Sequence, residues 1–261
     1  MKFLLLLLII FSFVSCDKNE EQNLLLDDNK PNVYSAEASL SLYLKSQNLM
    51  KQQKYKEAEK SYEKLLNIEP NFSKAWEGLA ESKIMQGDFE ISIEYLNKAI
   101  ILNSNISTHY SIRALVNYYL NLFDQATTDA TLANLKDPKD TLALIVLGAI
   151  KSFEGDAVTS NNYYEEAIEI SPDDSSIYFW RAKSLRFNGM YENALKDFNK
   201  AIIMDRSRAS YFYERAVLYI QINELDKAKS DLEEAIEISK NPRNSLMLEK
   251  SKLLLNSLNN E

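Results

Sequence analysis

A spacing of 34 residues constrains the fold of this chain more than any other feature of its sequence. Small side chains recur at this interval in three separate series. The series are Ala58, Ser92, Ala126, Ser160, Ala194 and Ala228; Ser46, Ala80, Ala114, Gly148, Ala182 and Ala216; and Leu65, Ala99, Ala133, Ala167, Ala201 and Ala235. Only Leu65 is large among these eighteen positions. A fixed period of this length indicates stacked copies of one structural unit.

Each unit has the pattern of two helices. In the stretch 175–208, apolar residues recur every three or four positions in two halves, which join at Asn188-Gly189. This recurrence predicts a helix in each half and a tight break between them. Five glycines and five prolines in 261 residues suit short connections, and no alternating strand pattern is present. We therefore predict an all-α fold in which neighbouring units bury each other's apolar faces.

Large residues recur in the same register, early in each unit and four positions before the small residue of the second series. They are Leu42, Trp76, Tyr110, Leu144, Tyr178 and Phe212. The combined pattern resembles the tetratricopeptide repeat. The resemblance implies a right-handed α-solenoid of six helix-turn-helix units over residues 39–72, 73–106, 107–140, 141–174, 175–208 and 209–242. We expect one domain over 35–258, closed by a capping helix over 244–258.

The N-terminus has the pattern of an export signal. Residues 1–15 contain one basic residue and an apolar run from Phe3 to Val14, which as a helix would span roughly 18 Å and is too short to cross a membrane. A signal peptide is therefore predicted. The segment and Cys16, the only cysteine, resemble a bacterial lipoprotein signal, which implies a lipidated Cys16 and a tether over 16–34. The expected location is the bacterial envelope, at the outer membrane, with the periplasmic or surface face left open; the alternative is an ordinary secretory signal.

Composition argues against several classes of function. The formal net charge of −8 disfavours nucleic acid, because phosphate binding needs a basic surface. His109 is the only histidine, which excludes paired-histidine zinc motifs, and we expect it to be a partly exposed structural residue. No glycine-rich phosphate loop is present. We expect no enzyme activity, no cofactor and no metal.

Charged residues also recur with the repeat. Where the seventh position of a unit is arginine, the twenty-third is aspartate, and antiparallel helices place these two positions opposite each other. We predict structural, part-buried ion pairs in the third, fifth and sixth units: Arg113–Asp129, Arg181–Asp197 and Arg215–Asp231.

The resemblance also implies a binding groove. In this family the second, fifth, ninth, twelfth and thirteenth positions of each unit line a concave surface. In units three to six these positions hold Leu115, Tyr118, Tyr119, Leu142, Ile145, Phe153, Phe179, Lys183, Arg186, Phe187, Tyr213, Val217 and Ile220. Units one and two contribute a more polar set, including Gln47, Lys74, Glu77 and Glu81. The alternative is that the aromatic side chains are buried against neighbouring first helices.

These features predict a membrane-anchored adaptor that binds a protein or peptide segment of the cell envelope. Such a protein would act in assembly or localisation, as pilotins and the adaptors of peptidoglycan hydrolases do. The alternative is a lipoprotein that captures glycans at the cell surface, because exposed aromatic rings can stack on sugars.

Overall fold

The computed structural model describes residues 33–240 and 245–259, and within these residues it contains thirteen helices and no strand. The helices are α1 (Val33–Lys51), α2 (Tyr55–Ile68), α3 (Ser73–Ile84), α4 (Phe89–Leu102), α5 (Ser107–Tyr119), α6 (Phe123–Lys136), α7 (Thr141–Phe153), α8 (Ala157–Ile170), α9 (Ser175–Phe187), α10 (Tyr191–Met204), α11 (Ala209–Gln221), α12 (Leu225–Ser239) and α13 (Ser245–Asn259). The predicted all-α repeat fold is confirmed, and its handedness stays a prediction. The signal peptide and the lipidated Cys16 lie outside the described residues.

The chain divides into two compact units, Met1–Ala36 and Glu37–Glu261. Only residues 33–36 of the first unit are described, and they belong to α1. In the second unit, five of the predicted repeats begin where a helix begins: α3, α5, α7, α9 and α11 start at the first residue of their repeat. The 34-residue register therefore sets the boundaries of the helical pairs.

The turn inside each pair depends on one position with a positive φ angle. Gly87, Gly155 and Gly189 occupy it in three units, with φ between 76° and 86°. The other three units use Gln53, Asn121 and Asn223, with φ near 60°. A left-handed residue at this point ends the first helix, and the next amide donates to a carbonyl five positions earlier, as from Leu122 to Asn117 at 2.8 Å. The second helix is thereby directed back along the first.

Small residues allow the helices to cross closely. Ala58, Ala126, Ala194 and Ala228 are fully buried, because each stands at a helix crossing where a larger side chain would force the backbones apart. Ala130, which replaces a large residue of the other units, is also fully buried, in a core cluster with larger residues of α7. The neighbouring unit therefore supplies bulk that the third unit lacks.

The last helix covers the sixth unit. Leu258 of α13 is buried in a cluster with Ala216, Ala228 and Leu232, and Leu254 packs on the same cluster. This is the arrangement expected of a capping helix, since the final unit of a solenoid otherwise exposes an apolar surface.

Candidate protein-binding surface

The arginines and aspartates of units three, five and six form two-armed ion pairs. In each pair the Nε and Nη2 groups of arginine donate to the two carboxylate oxygens of aspartate. The two distances are 2.8 and 2.6 Å for Arg113–Asp129, 2.6 and 2.9 Å for Arg181–Asp197, and 2.7 and 2.6 Å for Arg215–Asp231. All three aspartates are buried. The separations agree with the predicted pairing of the seventh and twenty-third positions.

Two of these arginines also reach the preceding repeat, which the sequence pattern did not indicate. Arg113 Nη1 donates to Asn97 Oδ1 at 2.6 Å, and Arg215 Nη1 donates to Asn199 Oδ1 at 2.6 Å. Each guanidinium therefore joins two successive units. Asparagine at the twenty-fifth position of the preceding unit was the available signal.

The centre of the expected groove is filled by the protein's own side chains. Tyr118 of the third unit and Trp180 of the fifth lie with ring centroids 5.9 Å apart. Between them the fourth unit has Ala149 and Ser152, both buried, at positions where other units have large residues. Ile145 is only 3% exposed and packs in the same cluster, so its expected place in the groove lining was wrong.

Most other residues of the expected groove are half-buried. Phe179 stacks on Tyr211 with ring centroids 4.6 Å apart. The half-buried set is Leu115, Tyr118, Leu142, Phe179, Lys183, Arg186, Tyr213, Val217 and Ile220. For these positions the structure agrees more with burial against neighbouring helices than with an open apolar groove.

The groove cations are also engaged within the chain. Glu214 of α11 lies 2.9 Å from Arg186 Nη2 and 3.7 Å from Lys183 Nζ. The Lys183 ammonium lies 4.6 Å from the ring centre of Trp180. These contacts link the fifth and sixth units and stabilise the filled centre.

Phenylalanines that remain accessible form a line across three units, which we call the ring row: Phe123, Phe153 and Phe187. Phe123 stacks on Phe153 with centroids 4.4 Å apart, and Phe153 stacks on Phe187 at 5.9 Å. Phe153 is 52% exposed and Phe187 is 62% exposed. Both end the first helix of their unit, so the 34-residue spacing aligns them. Tyr119, one unit earlier at the same position, is also exposed.

A second region, which we call the acidic section, begins with Glu77 of α3, whose side chain is buried. The Glu77 carboxylate accepts hydrogen bonds from Lys74 at 2.9 Å, Thr108 at 2.5 Å and His109 Nδ1 at 2.5 Å. Burial acts to raise the pKa of Glu77, but the bonds from His109, Thr108 and Lys74 lower it overall. His109 is fully buried, so its expected partial exposure was wrong. The burial of His109 could have been predicted from the preceding repeat, because that repeat supplies the carboxylate that bonds to it.

Glu81 completes the acidic section one helical turn beyond Glu77. It is half-buried, and among the described residues no cation lies close enough to form an ion pair with it. Burial, and then the charge of Glu77, raise the pKa of Glu81 to about 7. The Tyr43 hydroxyl of α1 is close enough for both carboxylates to raise its pKa, after burial.

The described residues offer neither a metal centre nor a membrane span. No group of three or more His, Cys, Asp or Glu side chains is placed to hold a metal ion in residues 33–240 and 245–259. Within the same ranges, every helix is too short or too polar to cross a bilayer.

Comparison with family models identifies the repeat. Residues 39–72, 163–196 and 209–242 each match a model described as tetratricopeptide repeat. The first and last segments coincide with the first and sixth repeats predicted from the sequence. The middle one begins within α8, the second helix of unit four, contains all of α9 and ends within α10 of unit five.

Solved structures share this fold. The APC/C hetero-tetramer Cut9–Hcn1 has a TM-score of 0.64 and 20% identity, over 86% of this chain and 50% of that one. Pseudomonas aeruginosa PilF has a TM-score of 0.56 and 15% identity, over 85% and 99%. A tetratricopeptide repeat protein from Parabacteroides merdae has a TM-score of 0.53 and 16% identity, over 85% and 97%.

A curated relative is the human protein O-mannosyl-transferase TMTC3, which is 24% identical over 208 residues. The match takes 73% of this chain but only 22% of the relative, so the chain spans about a fifth of that protein's length. The matched segments and the six helical pairs together show that this chain is a tetratricopeptide-repeat protein.

Proposed function

We propose that this protein is a non-catalytic adaptor that binds a protein or peptide segment through the ring row. The observation that carries the proposal is that Phe153 and Phe187 stack on each other and still leave more than half of each side chain exposed. Exposed apolar patches of this kind usually mark binding sites. Phenylalanine is an efficient anchor, because it brings a large contact area with few rotatable bonds.

The filled centre of the groove supports this choice of surface. A segment that entered between the third and fifth units would have to displace Trp180, which is 8% exposed. It would also lose the contacts of that ring with Tyr118, Tyr119 and Lys183. The ring row can be reached without any such rearrangement.

The proposal includes a lipid anchor in the bacterial envelope, supported by the leader sequence and the single cysteine at Cys16. A lipid-anchored adaptor would hold its partner near the membrane. Replacing Cys16 by serine should abolish acyl labelling and release the protein from membranes. Retention of the Ser variant in carbonate-washed membranes would contradict the anchor and leave the adaptor function untouched.

The binding surface is tested by capture from envelope extract with the double variant Phe153→Ala, Phe187→Ala. We expect the variant to keep its helical circular dichroism and to lose at least about 1–2 kcal/mol of binding free energy, a fall of roughly tenfold in partner capture. The matched control is Ile101→Ala, Ile203→Ala, which removes two side chains that are 82% and 84% exposed on second helices.

Equal capture by the ring-row variant and the control would contradict the proposal. Treatment of the extract with protease distinguishes the two classes of partner. If capture by the unaltered protein survives proteolysis and the captured material is carbohydrate, the rings stack on sugars and the glycan alternative replaces the adaptor function.

A further inference from the structure

A polar cleft lies where unit two meets unit three, between α4, α5 and α6. Its volume is about 440 Å³, which is within the range of ligand pockets in proteins. The ring row contributes none of its lining residues, so the cleft is independent of the proposed binding surface. The residues that line it include Ile93, Asn97, Arg113, Asn117, Asp124 and Thr128.

The cleft coincides with a change of residue type at one position of the repeat. Asn117 holds this position in unit three. Leu185 holds it in unit five, where the space that Leu185 lines together with Arg181 is only about 10 Å³. Tyr219 holds it in unit six, half-buried, with its ring centre 5.8 Å from the Arg215 guanidinium. An apolar or aromatic side chain therefore stands beside the arginine in units five and six, whereas unit three has a smaller polar one.

The side chain of Asn117 has one hydrogen-bonded end and one that lacks a partner. It is 3% exposed, and its Nδ2 donates to Asp129 Oδ2 at 3.1 Å. Its Oδ1 is buried and accepts no hydrogen bond from the residues that the structure describes. Burying an amide oxygen without a donor is unfavourable, and a ligand that brings an N–H or O–H group removes this cost.

Charged groups beside Asn117 restrict what the cleft can accept. The guanidinium of Arg113 has five N–H groups, and three of them have acceptors on Asp129 and Asn97. The exposed carboxylate of Asp124 has neither a hydrogen bond nor an ion pair within the described residues. The two aspartates repel an anionic ligand, and the arginine repels a cationic one. A neutral group with both a donor and an acceptor suits this set of residues.

We propose that the cleft binds the primary carboxamide of an asparagine or glutamine side chain in a peptide. The carbonyl oxygen of the ligand accepts from Arg113, and its NH2 group donates to Asn117 Oδ1 and to Asp124. An acetamido sugar carries a similar amide, but the residues that line the cleft include no aromatic ring on which a sugar could stack. The composition of the cleft therefore favours the peptide source.

Titration of the isotope-labelled full chain with blocked amino acids tests the proposal, with the side-chain N–H resonances of Arg113 and Asn117 as the signal. The N-acetyl methylamides of glutamine, asparagine, glutamate, lysine and leucine share the same backbone amides and differ only in the side chain. The glutamine and asparagine derivatives should shift both resonances saturably. They should bind at least about tenfold more tightly than the other three, because only a primary carboxamide serves the donor and the acceptors together.

Two variants test the residues that hold the ligand. Asn117→Leu introduces the side chain of unit five and should abolish the preference for glutamine, with circular dichroism as the check on folding. Asp124→Ala alters an exposed residue and should weaken glutamine binding by roughly tenfold. The matched control is Glu192→Ala, which removes the exposed carboxylate at the same position of unit five. This control and the Phe153→Ala, Phe187→Ala variant should bind glutamine as the unaltered protein does.

The opposite results would overturn the proposal. Equal affinity for all five derivatives, or the absence of a saturable shift at Arg113 and Asn117, would show that the cleft is not a carboxamide site. Unchanged glutamine binding in either Asn117→Leu or Asp124→Ala would show the same. Binding of N-acetylglucosamine without binding of glutamine would overturn the peptide source and assign the cleft to an acetamido sugar.

Discussion

Individual carboxylates in this protein occupy contrasting environments, which differ in whether another side chain of the chain donates hydrogen bonds to them. Asp197 is buried but receives two hydrogen bonds from Arg181. Glu81 is half-buried and has no cation paired with it among the described residues. Hydrogen bonds to a buried carboxylate offset the cost of removing it from water, whereas a carboxylate without them keeps that cost. The first kind stabilises the fold, whereas the second keeps a raised pKa.

Replacing Asp197 by alanine should destabilise the protein by about 1–3 kcal/mol, because the part-buried guanidinium of Arg181 loses both acceptors. Urea denaturation measures this as a change in midpoint. The control is Glu237→Ala, which removes the partner of Lys240 from a largely exposed ion pair and should cost less than about 1 kcal/mol. Equal losses in the two variants would show that the buried pair contributes no more than a surface one.

At the scale of helices and turns, the close packing of neighbouring helices depends on two glycines, whose lack of a side chain leaves room for a tyrosine ring. A Cβ atom on Gly78 of α3 would overlap the ring of Tyr62 from α2. On Gly148 of α7 it would lie 3.0 Å from the ring of Tyr164 in α8. The first contact joins two repeats and the second lies within one repeat. Glycine is therefore required most strictly where successive units meet.

Gly78→Ala should accordingly destabilise the protein by about 1–3 kcal/mol, despite the roughly 1 kcal/mol that alanine gains in helix propensity. Gly148→Ala should cost less, since a shift of a few tenths of an ångström relieves its contact. Thermal or urea denaturation gives both values. Adding Tyr62→Leu to Gly78→Ala should recover part of the loss by removing the ring. If Gly78→Ala proves as stable as Gly148→Ala, α2 and α3 do not pack as closely as described.

At the scale of the whole molecule, the 34-residue period predicted the repeat fold. Spacing between equivalent residues predicted the six helical pairs and the Arg–Asp pairs, because each depends on positions within one unit or on its repetition. The final helix was predicted separately, from the helical spacing of apolar residues in the tail. Asn188-Gly189 also marked one turn. The equivalent turns at Gln53, Asn121 and Asn223 were harder to predict, because side chains other than glycine seldom adopt positive φ.

The candidate site was less predictable because it depends on contacts between non-adjacent units. Ile145 stands at a groove position, but it is buried where rings from the third and fifth units meet. His109 is buried, and the carboxylate of Glu77, one repeat earlier, accepts a hydrogen bond from its Nδ1. The sequence pattern of a single unit predicts neither of these burials, because both depend on residues of other units. The ring row was accessible to prediction, since Phe153 and Phe187 lie one period apart.

Site-specific photo-crosslinking, in cells that express the protein at its natural level, tests the ring row as the binding surface. A photoreactive phenylalanine analogue is placed at Phe153 or Phe187 in the ring row, and at Ile101 or Ile203 on the second helices as controls. If partners bind through the ring row, its positions should form a discrete crosslink to a protein partner and the control positions should not. Crosslinks from the second helices alone, or of equal yield from both sets, would contradict the ring row as the binding surface.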